Sequence, residues 1–310
     1  MRVTVVICTW NRCELLRSTL ESLRALEVPA DHAWELVVIN NNSSDATGAV
    51  IDRFRGLLPL RGVFEPEVGL SKARNTAVRA STGQLLLFTD DDVAVDSKWM
   101  SAYLDAAQSW PAAQYFGGLV RPWFAAAVPR WVRRNQSALA GMLCALDIGP
   151  VSREFSRGEF PYGLNMAMRR EVFTLASFDE RVGRKGDAQL RDSETSLFLA
   201  LERLGVRGVW VPGAVIAHYI PANRANLRYL WSYHHGSGRS AVRLDEVCGL
   251  RLPSRLWRGG LNGLIEASRR PTDWPRHLAG VARLSGRLYE SWRLARARNG
   301  MAAEVPPKCQ

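Results

Sequence analysis

A rhythm in the first ninety residues constrains this chain most: short apolar, β-branched runs, each followed by residues at helical spacing. Val3–Thr9 (VTVVICT) reads as a buried strand. Leu15, Leu16, Thr19, Leu20 and Leu23 then fall on one face of a helix. Glu35–Asn40 (ELVVIN) is a second strand, and the polar turn NNSSDATG leads into a helix through Phe54. A third strand around Arg61–Phe64 precedes a helix within GLSKARNTAVRAS, and Gln84–Thr89 (QLLLFT) is a fourth strand. Strands and helices alternating through short connections predict an α/β fold, a Rossmann-like and mostly parallel sheet flanked by helices. Such sheets bind ligands just beyond the carboxyl ends of their strands. Thr9, Asn40 and Asp90 stand at three of those ends.

Asp90, Asp91 and Asp92 follow the fourth strand without a break. Adjacent carboxylates repel one another and suit the end of a buried strand poorly unless a ligand needs them. Hard oxygen donors suit Mg2+ or Mn2+, and Mg2+ commonly takes one or two carboxylates together with substrate phosphates. A solvated acidic turn is the other reading of the triplet alone; its place after a buried strand favours the metal. Asp45 reads as a helix cap. Farther along, Trp110–Pro161 is less regular, with Pro111, Pro122, Pro129 and Pro150 among aromatics. DSETSLFLALERLG is a helix signal, with Leu197, Leu201 and Leu204 on one face and Gly205 as its stop. GVWVPGAVIAH then reads as a strand ending on His218.

Nothing approaches the roughly 18 apolar residues of a membrane span, and the apolar start is too brief for a signal peptide. A cytoplasmic protein with its native N-terminus is expected. The five cysteines are scattered without a C-x-x-C pair, which points to reduced thiols rather than disulfides or zinc. The net charge of +11 is concentrated at one end. Tyr219–Gln310 holds 16 Lys+Arg against 6 Asp+Glu, leaving 25 against 24 in the preceding 218 residues. An electrostatic partner belongs with the tail.

The ordered set VVICTWNR, VVINNNSSDAT, GLSKARNTAVRASTGQLLLFTDDD, FPYGLNMAMRR, RDSETSLFLALERLG and VPGAVIAHYIP resembles family 2 glycosyltransferases of the GT-A fold. The resemblance runs from Val3 to about Ser240. It implies a GT-A domain over 1–240, with a nucleotide-binding half over about 1–95 and an acceptor half over about 96–240. A basic, helical, amphipathic extension over 241–310 follows. The implied activity is inverting transfer of a sugar from a nucleoside-diphosphate sugar to a hydroxyl acceptor, a glycan or lipid-linked glycan of polysaccharide biosynthesis, with a soluble small molecule or a protein as the alternative acceptor. The implied cofactor is Mg2+ or Mn2+.

By the same resemblance, Thr9 and Arg12 face the nucleoside. The second strand end, where the family presents an Asp, carries Asn40, a neutral departure that also donates hydrogen bonds. Arg74 is implied at the diphosphate, where a guanidinium forks onto phosphate oxygens, and Lys72 either assists or faces water. Asp90 and Asp91 belong to the nucleotide side, and Asp92 with Asp90 and His218 to the metal. Gly163 allows close backbone approach, and Asn165 either bonds sugar hydroxyls or holds its own loop. The family's E-D-x-E-like motif reads Arg191-Asp192-Ser193-Glu194 here. It implies Asp192 as the general base with Glu194 as the alternative, and Arg191 on the acceptor side as a second departure.

Beyond Ser240 the resemblance fades into a mixture of Trp, Leu and Arg. That mixture reads either as peripheral attachment to an anionic membrane or as a helical cap on the catalytic domain. Two other functional classes are weaker. A nucleotidyl- or phosphoryl transferase would share the sheet and carboxylates, but no G-x-x-x-x-G-K-[ST] loop is present. A non-catalytic protein that binds through the basic tail is the second, but no nucleic-acid recognition motif accompanies that tail, so no nucleic acid partner is expected.

Overall fold

The computed structural model describes residues 1–181, 193–248 and 274–303. It begins β1 (Arg2–Thr9), α1 (Cys13–Leu23), β2 (Ala33–Asn40), α2 (Thr47–Phe54), β3 (Leu60–Phe64), α3 (Leu70–Ala80) and β4 (Leu85–Asp90). After β4 come β5 (Val93–Val95), α4 (Trp99–Ser109), β6 (Tyr115–Phe124), α5 (Arg130–Arg134), β7 (Arg153–Glu154) and β8 (Asn165–Arg169). The chain continues through α6 (Ser193–Arg203), β9 (Gly208–Ile220), α7 (Leu227–Cys248) and α8 (Trp274–Ala303).

One sheet runs β3-β2-β1-β4-β8-β6-β9-β5, with β7 beside β9. Its first four strands are parallel, β8 is antiparallel to β4 and β6, and β6 pairs with β9 in parallel. Both faces are covered, which explains why the strands read as nearly continuous apolar runs. Val3, Val5 and Ile7 of β1 pack with Leu16, Leu20, Ile51 and Trp99 on one face. Val6, Ile39 and Phe88 pack with Ala73, Ala77, Leu197 and Leu201 on the other. Parallel register sets Thr9 opposite Asn40 and Cys8 opposite Asp90, so three strand ends meet at one edge.

A third apolar cluster joins Val132, Leu139 and Leu143 to Ile220, Leu230 and Ala279. It seats α7 and α8 on the sheet domain. The expected boundary near residue 240 falls inside α7, which runs unbroken from Leu227. The two helices lie side by side in the same sense, with contacts advancing from His234–Arg283 to Arg243–Glu290. A Cβ on Gly238 would strike the carbonyl of Arg283, and one on Gly286 that of His235. The backbones therefore touch at the crossing.

Glu290 is fully buried there and accepts from Arg239 at 2.8 Å, Arg243 at 2.7 Å and Arg293 at 2.6 Å. Burial pushes its carboxyl up, but the three guanidiniums outweigh that and hold it at about 2 against an ordinary 4.5. A depressed carboxylate stabilises above its unfolded pKa, and that stability is lost as pH falls through the folded value. Wild-type melting temperature should therefore drop between about pH 4.5 and 2. Glu290→Gln should cost about 2 kcal/mol at neutral pH and flatten that acid limb; thermal melts across the range decide it.

Candidate active site

At the strand ends, the aspartate triplet is divided among different partners. Asp91 and Asp92 are buried, whereas Asp90 is partly open. Thr9 Oγ1 donates to Asp91 Oδ2 at 2.7 Å. One nitrogen of Arg12 donates to both Asp91 Oδ1, at 3.0 Å, and Asp92 Oδ2, at 2.9 Å. Arg12 is thus a counter-ion inside the carboxylate cluster. Arg74, 3% exposed, lies 3.8 Å from Asp90 and donates to Glu194 Oε2 at 3.2 Å. His218 follows from β9, where it pairs with Val93, and its Nε2 stands 3.5 Å from Asp92 Oδ1.

These contacts set the protonation states. Burial pushes the Asp91 carboxyl up to about 6, aided by Asp92 and opposed by Arg12 and Thr9. Burial also raises Asp90 against the pull of Arg74. For Asp92 burial is outweighed by His218, Arg12 and Arg224, which hold it below the usual carboxylate range. Cys8, which lines the same cleft, is pushed up to about 12 by burial, so its thiol stays protonated at neutral pH.

The cleft lies between the end of β1 and the start of α3, lined by Thr9, Trp10, Arg12, Asn41, Gly69, Asp90 and Asp91. Asn41 shapes it. Its amide donates to the carbonyls of Glu65 and Glu67 and accepts from Gly69 N at 2.8 Å, pinning the loop that leads into α3.

Several expected residues do other work. Asn40 does not line the cleft: its side-chain oxygen accepts from Ser43 N at 2.9 Å and closes the turn after β2. Lys72 pairs with Glu67 at 3.2 Å and Glu180 at 3.5 Å, outside the cleft. Asn165 is fully buried and saturated. Its oxygen accepts from Trp99 Nε1 and Tyr103 Oη, and its nitrogen donates to the Leu119 and Ala214 carbonyls. No group is left for a sugar hydroxyl, so Asn165 holds the fold. Asp45 accepts from Cys13 N and Thr47 N, tying the starts of α1 and α2 together. Arg191 and Asp192 lie outside the described residues. Asn41, Trp10 and Arg224 were not singled out from sequence; only Trp10, directly after a strand-end threonine, carried a usable signal.

Gly163 allows a close approach, and what approaches is Arg74. A Cβ there would overlap the guanidinium, with Cζ at 3.0 Å. Gly163 does not adopt a positive φ, so alanine fits its backbone and tests only the overlap. Gly163→Ala should displace Arg74 from Asp90 and Glu194, costing about 1–3 kcal/mol in stability and weakening nucleotide binding. Calorimetric titration beside a thermal melt reads both.

The profile of the glycosyl transferase family 2 matches residues 4–173, a span containing β1 to β8 and the aspartate triplet. The succinoglycan biosynthesis protein ExoM of Rhizobium meliloti (strain 1021) is 28% identical over 271 residues, covering 85% of this chain and 81% of that protein. The glucosyl-dolichyl phosphate glucuronosyltransferase of Haloferax volcanii is 25% identical over 238 residues, covering 74% and 73%. Among solved structures, the mannosyltransferase PcManGT from Pyrobaculum calidifontis, in complex with GDP-Man and Mn2+, superposes with a TM-score of 0.55 at 20% identity. That superposition covers 98% of this chain and 76% of that one. The sheet, its strand-end carboxylates and a family match over more than half of the sequence lead to one assignment: this chain is a GT-A-fold member of glycosyl transferase family 2.

Proposed function

We propose that the chain transfers a sugar, with inversion, from a nucleoside-diphosphate sugar to a hydroxyl of a glycan or lipid-linked glycan in polysaccharide biosynthesis. One observation carries the donor assignment. Among the described residues, the four carboxylates of Asp90, Asp91, Asp92 and Glu194 converge at the strand ends, where the guanidiniums of Arg12 and Arg74 pair with them, His218 stands beside Asp92 and the charge of Arg224 reaches it. That balance is anionic and would repel a diphosphate unless a divalent cation came with it.

The residues present fit such a cation. Asp92 Oδ1 is buried without a hydrogen-bond partner and faces His218 Nε2 at 3.5 Å. Two ligands each about 2.0–2.2 Å from one ion stand about that far apart. Among the described residues no three His, Cys, Asp or Glu side chains form a complete cage. Two protein ligands, with phosphate and water for the rest, is the habit of Mg2+ or Mn2+ at a nucleotide. When bound, the ion offsets charge on the departing diphosphate.

The chain's own residues divide the remaining work. Arg12 pairs with Asp91 and Asp92 and aligns them, and Arg74 offers a guanidinium beside Asp90. Trp10 offers an aromatic face in the cleft for the base. Glu194 is held in an ion pair by Arg74, which leaves proton removal from the acceptor to Asp192. The relatives named for succinoglycan biosynthesis and for a dolichyl-phosphate-linked sugar support the acceptor class. Among the described residues no helix is long and apolar enough to cross a membrane. A lipid-linked acceptor would bring the enzyme to the inner face of the cell membrane as a peripheral protein, with the basic C-terminal helices as its contact.

A thermal-shift panel of nucleoside-diphosphate sugars with and without Mn2+ tests the donor, since a ligand of the folded state raises its melting point. A shift that requires Mn2+, followed by labelled sugar moving to an acceptor, is expected. Failure of every nucleotide-sugar to shift the melt, or movement of labelled phosphate instead of sugar, rejects the reading.

A further inference from the structure

The C-terminal helices spend much of their charge internally. Arg239, Arg243 and Arg293 are all tied to Glu290. What faces outward on α8 sets apolar side chains among the exposed arginines Arg276, Arg283 and Arg296. On α8 the buried positions Ala279, Ala282, Gly286 and Glu290 form the seam against α7 and the catalytic domain. On the opposite side, Leu288 and Trp292 are 44% and 56% exposed, and Tyr289, 45% exposed, flanks the seam beside His235 and Arg239 of α7. Val281, Leu288 and Ala295 recur every seventh residue along that side, whereas Trp274, one heptad earlier, packs its ring on Trp131 with centroids 5.4 Å apart. Arginines lie across the rings of Tyr289 and Trp292. Arg239 Cζ sits 5.1 Å from the centre of Tyr289, and Arg296 Cζ 5.4 Å from that of Trp292.

We propose that this outer face of α8, centred on Leu288 and Trp292 with Tyr289 at its edge, inserts into the headgroup layer of an anionic phospholipid membrane. Charge selects this occupant over a second copy of the chain. From Trp274 to Ala303 there are six arginines and one glutamate, and that glutamate is already neutralised inside the helix pair. Two such faces laid together would oppose like charges across the seam, whereas an anionic surface complements them. A ring that anchors in the interface while its guanidinium meets phosphate is the arrangement amphipathic interfacial helices use. The inference rests on the peripheral contact proposed above. It changes that contact's character: insertion of an apolar face, and not charge alone, holds the protein at the bilayer.

The test uses the full chain and co-sedimentation with vesicles of phosphatidylcholine, alone or mixed with phosphatidylglycerol. Wild type should partition onto the mixed vesicles at least about tenfold better than onto phosphatidylcholine. A measurable part of that binding should survive high salt, because buried apolar area is not screened. The double variant Leu288→Glu, Trp292→Glu should bind at least about tenfold more weakly. Its melting point and nucleotide affinity should stay at wild type, since neither side chain packs in the core. Trp292→Tyr should retain most of the binding. Wild-type protein that ignores the mixed vesicles overturns both this inference and the membrane contact it rests on. Wild-type binding that the double variant keeps, or that high salt abolishes entirely, overturns the insertion while leaving an electrostatic contact. A wild-type dimer that the double variant converts to monomer, without vesicle binding, assigns the face to a second copy instead.

Discussion

Asp92→Asn is expected to keep the fold and to lose at least about 100-fold in metal-dependent donor affinity. Asp92 faces in two directions, with Oδ2 on Arg12 and Oδ1 towards His218. An amide can still accept from Arg12, and Asp91 retains that guanidinium as a partner, so the cluster does not fall apart. It cannot offer a hard anionic oxygen to a divalent ion. Melting of the apo variant should therefore stay close to wild type, while the extra stabilisation by nucleotide with Mn2+ disappears. Asp90→Asn acts on the Arg74 side and should weaken nucleotide binding without removing its Mn2+ dependence. Undiminished turnover in EDTA, with both variants active, would remove the metal from this account.

That division of roles shows where the sequence was legible and where it was not. The strands were readable because burial on both faces leaves them almost no polar positions: Leu36–Ile39 and Leu85–Phe88 are fully buried. Position after such a strand was enough to mark Thr9 and the aspartates. β6 was missed because Gly117, Gly118 and Pro122 look like breakers in isolation. It persists because β8 and β9 hold it on both sides, with Asn165 bonding the Leu119 carbonyl. The same long-range contacts decide what a polar side chain is for. Asn40 and Asn41 are adjacent and alike, yet only Asn41 is buried where it can pin the Glu65–Gly69 loop. Arg12 reads as a nucleoside ligand until Asp91 and Asp92, eighty residues away, are seen on the same nitrogen. Arg224 gives no local signal, since its effect on Asp92 exists only in the folded arrangement.

The acceptor side yields the other large effect. Asp192 directly precedes α6, and Glu194 lies in its first turn. The two carboxylates should separate in kinetics. Glu194 accepts from Arg74 at 3.2 Å and is committed to that donor-side ion pair. Its loss frees Arg74, a donor-side group, so Glu194→Gln should raise the donor KM and change kcat little. Asp192 is the carboxylate assigned to the acceptor hydroxyl, and removing a general base typically costs about 10²–10⁴-fold in rate. Asp192→Asn should therefore lower kcat by that factor and leave nucleotide-sugar affinity alone. Asparagine is nearly isosteric with aspartate and as good a capping residue, so the melting point should hold. The pH profile adds an independent readout: the acidic limb of kcat, set by the base in the ternary complex, should vanish in Asp192→Asn and persist in Glu194→Gln. If instead Glu194→Gln collapses kcat while Asp192→Asn turns over normally, the base is Glu194, and its pairing with Arg74 must break when acceptor binds. If neither substitution slows transfer, deprotonation of the acceptor by this motif is wrong.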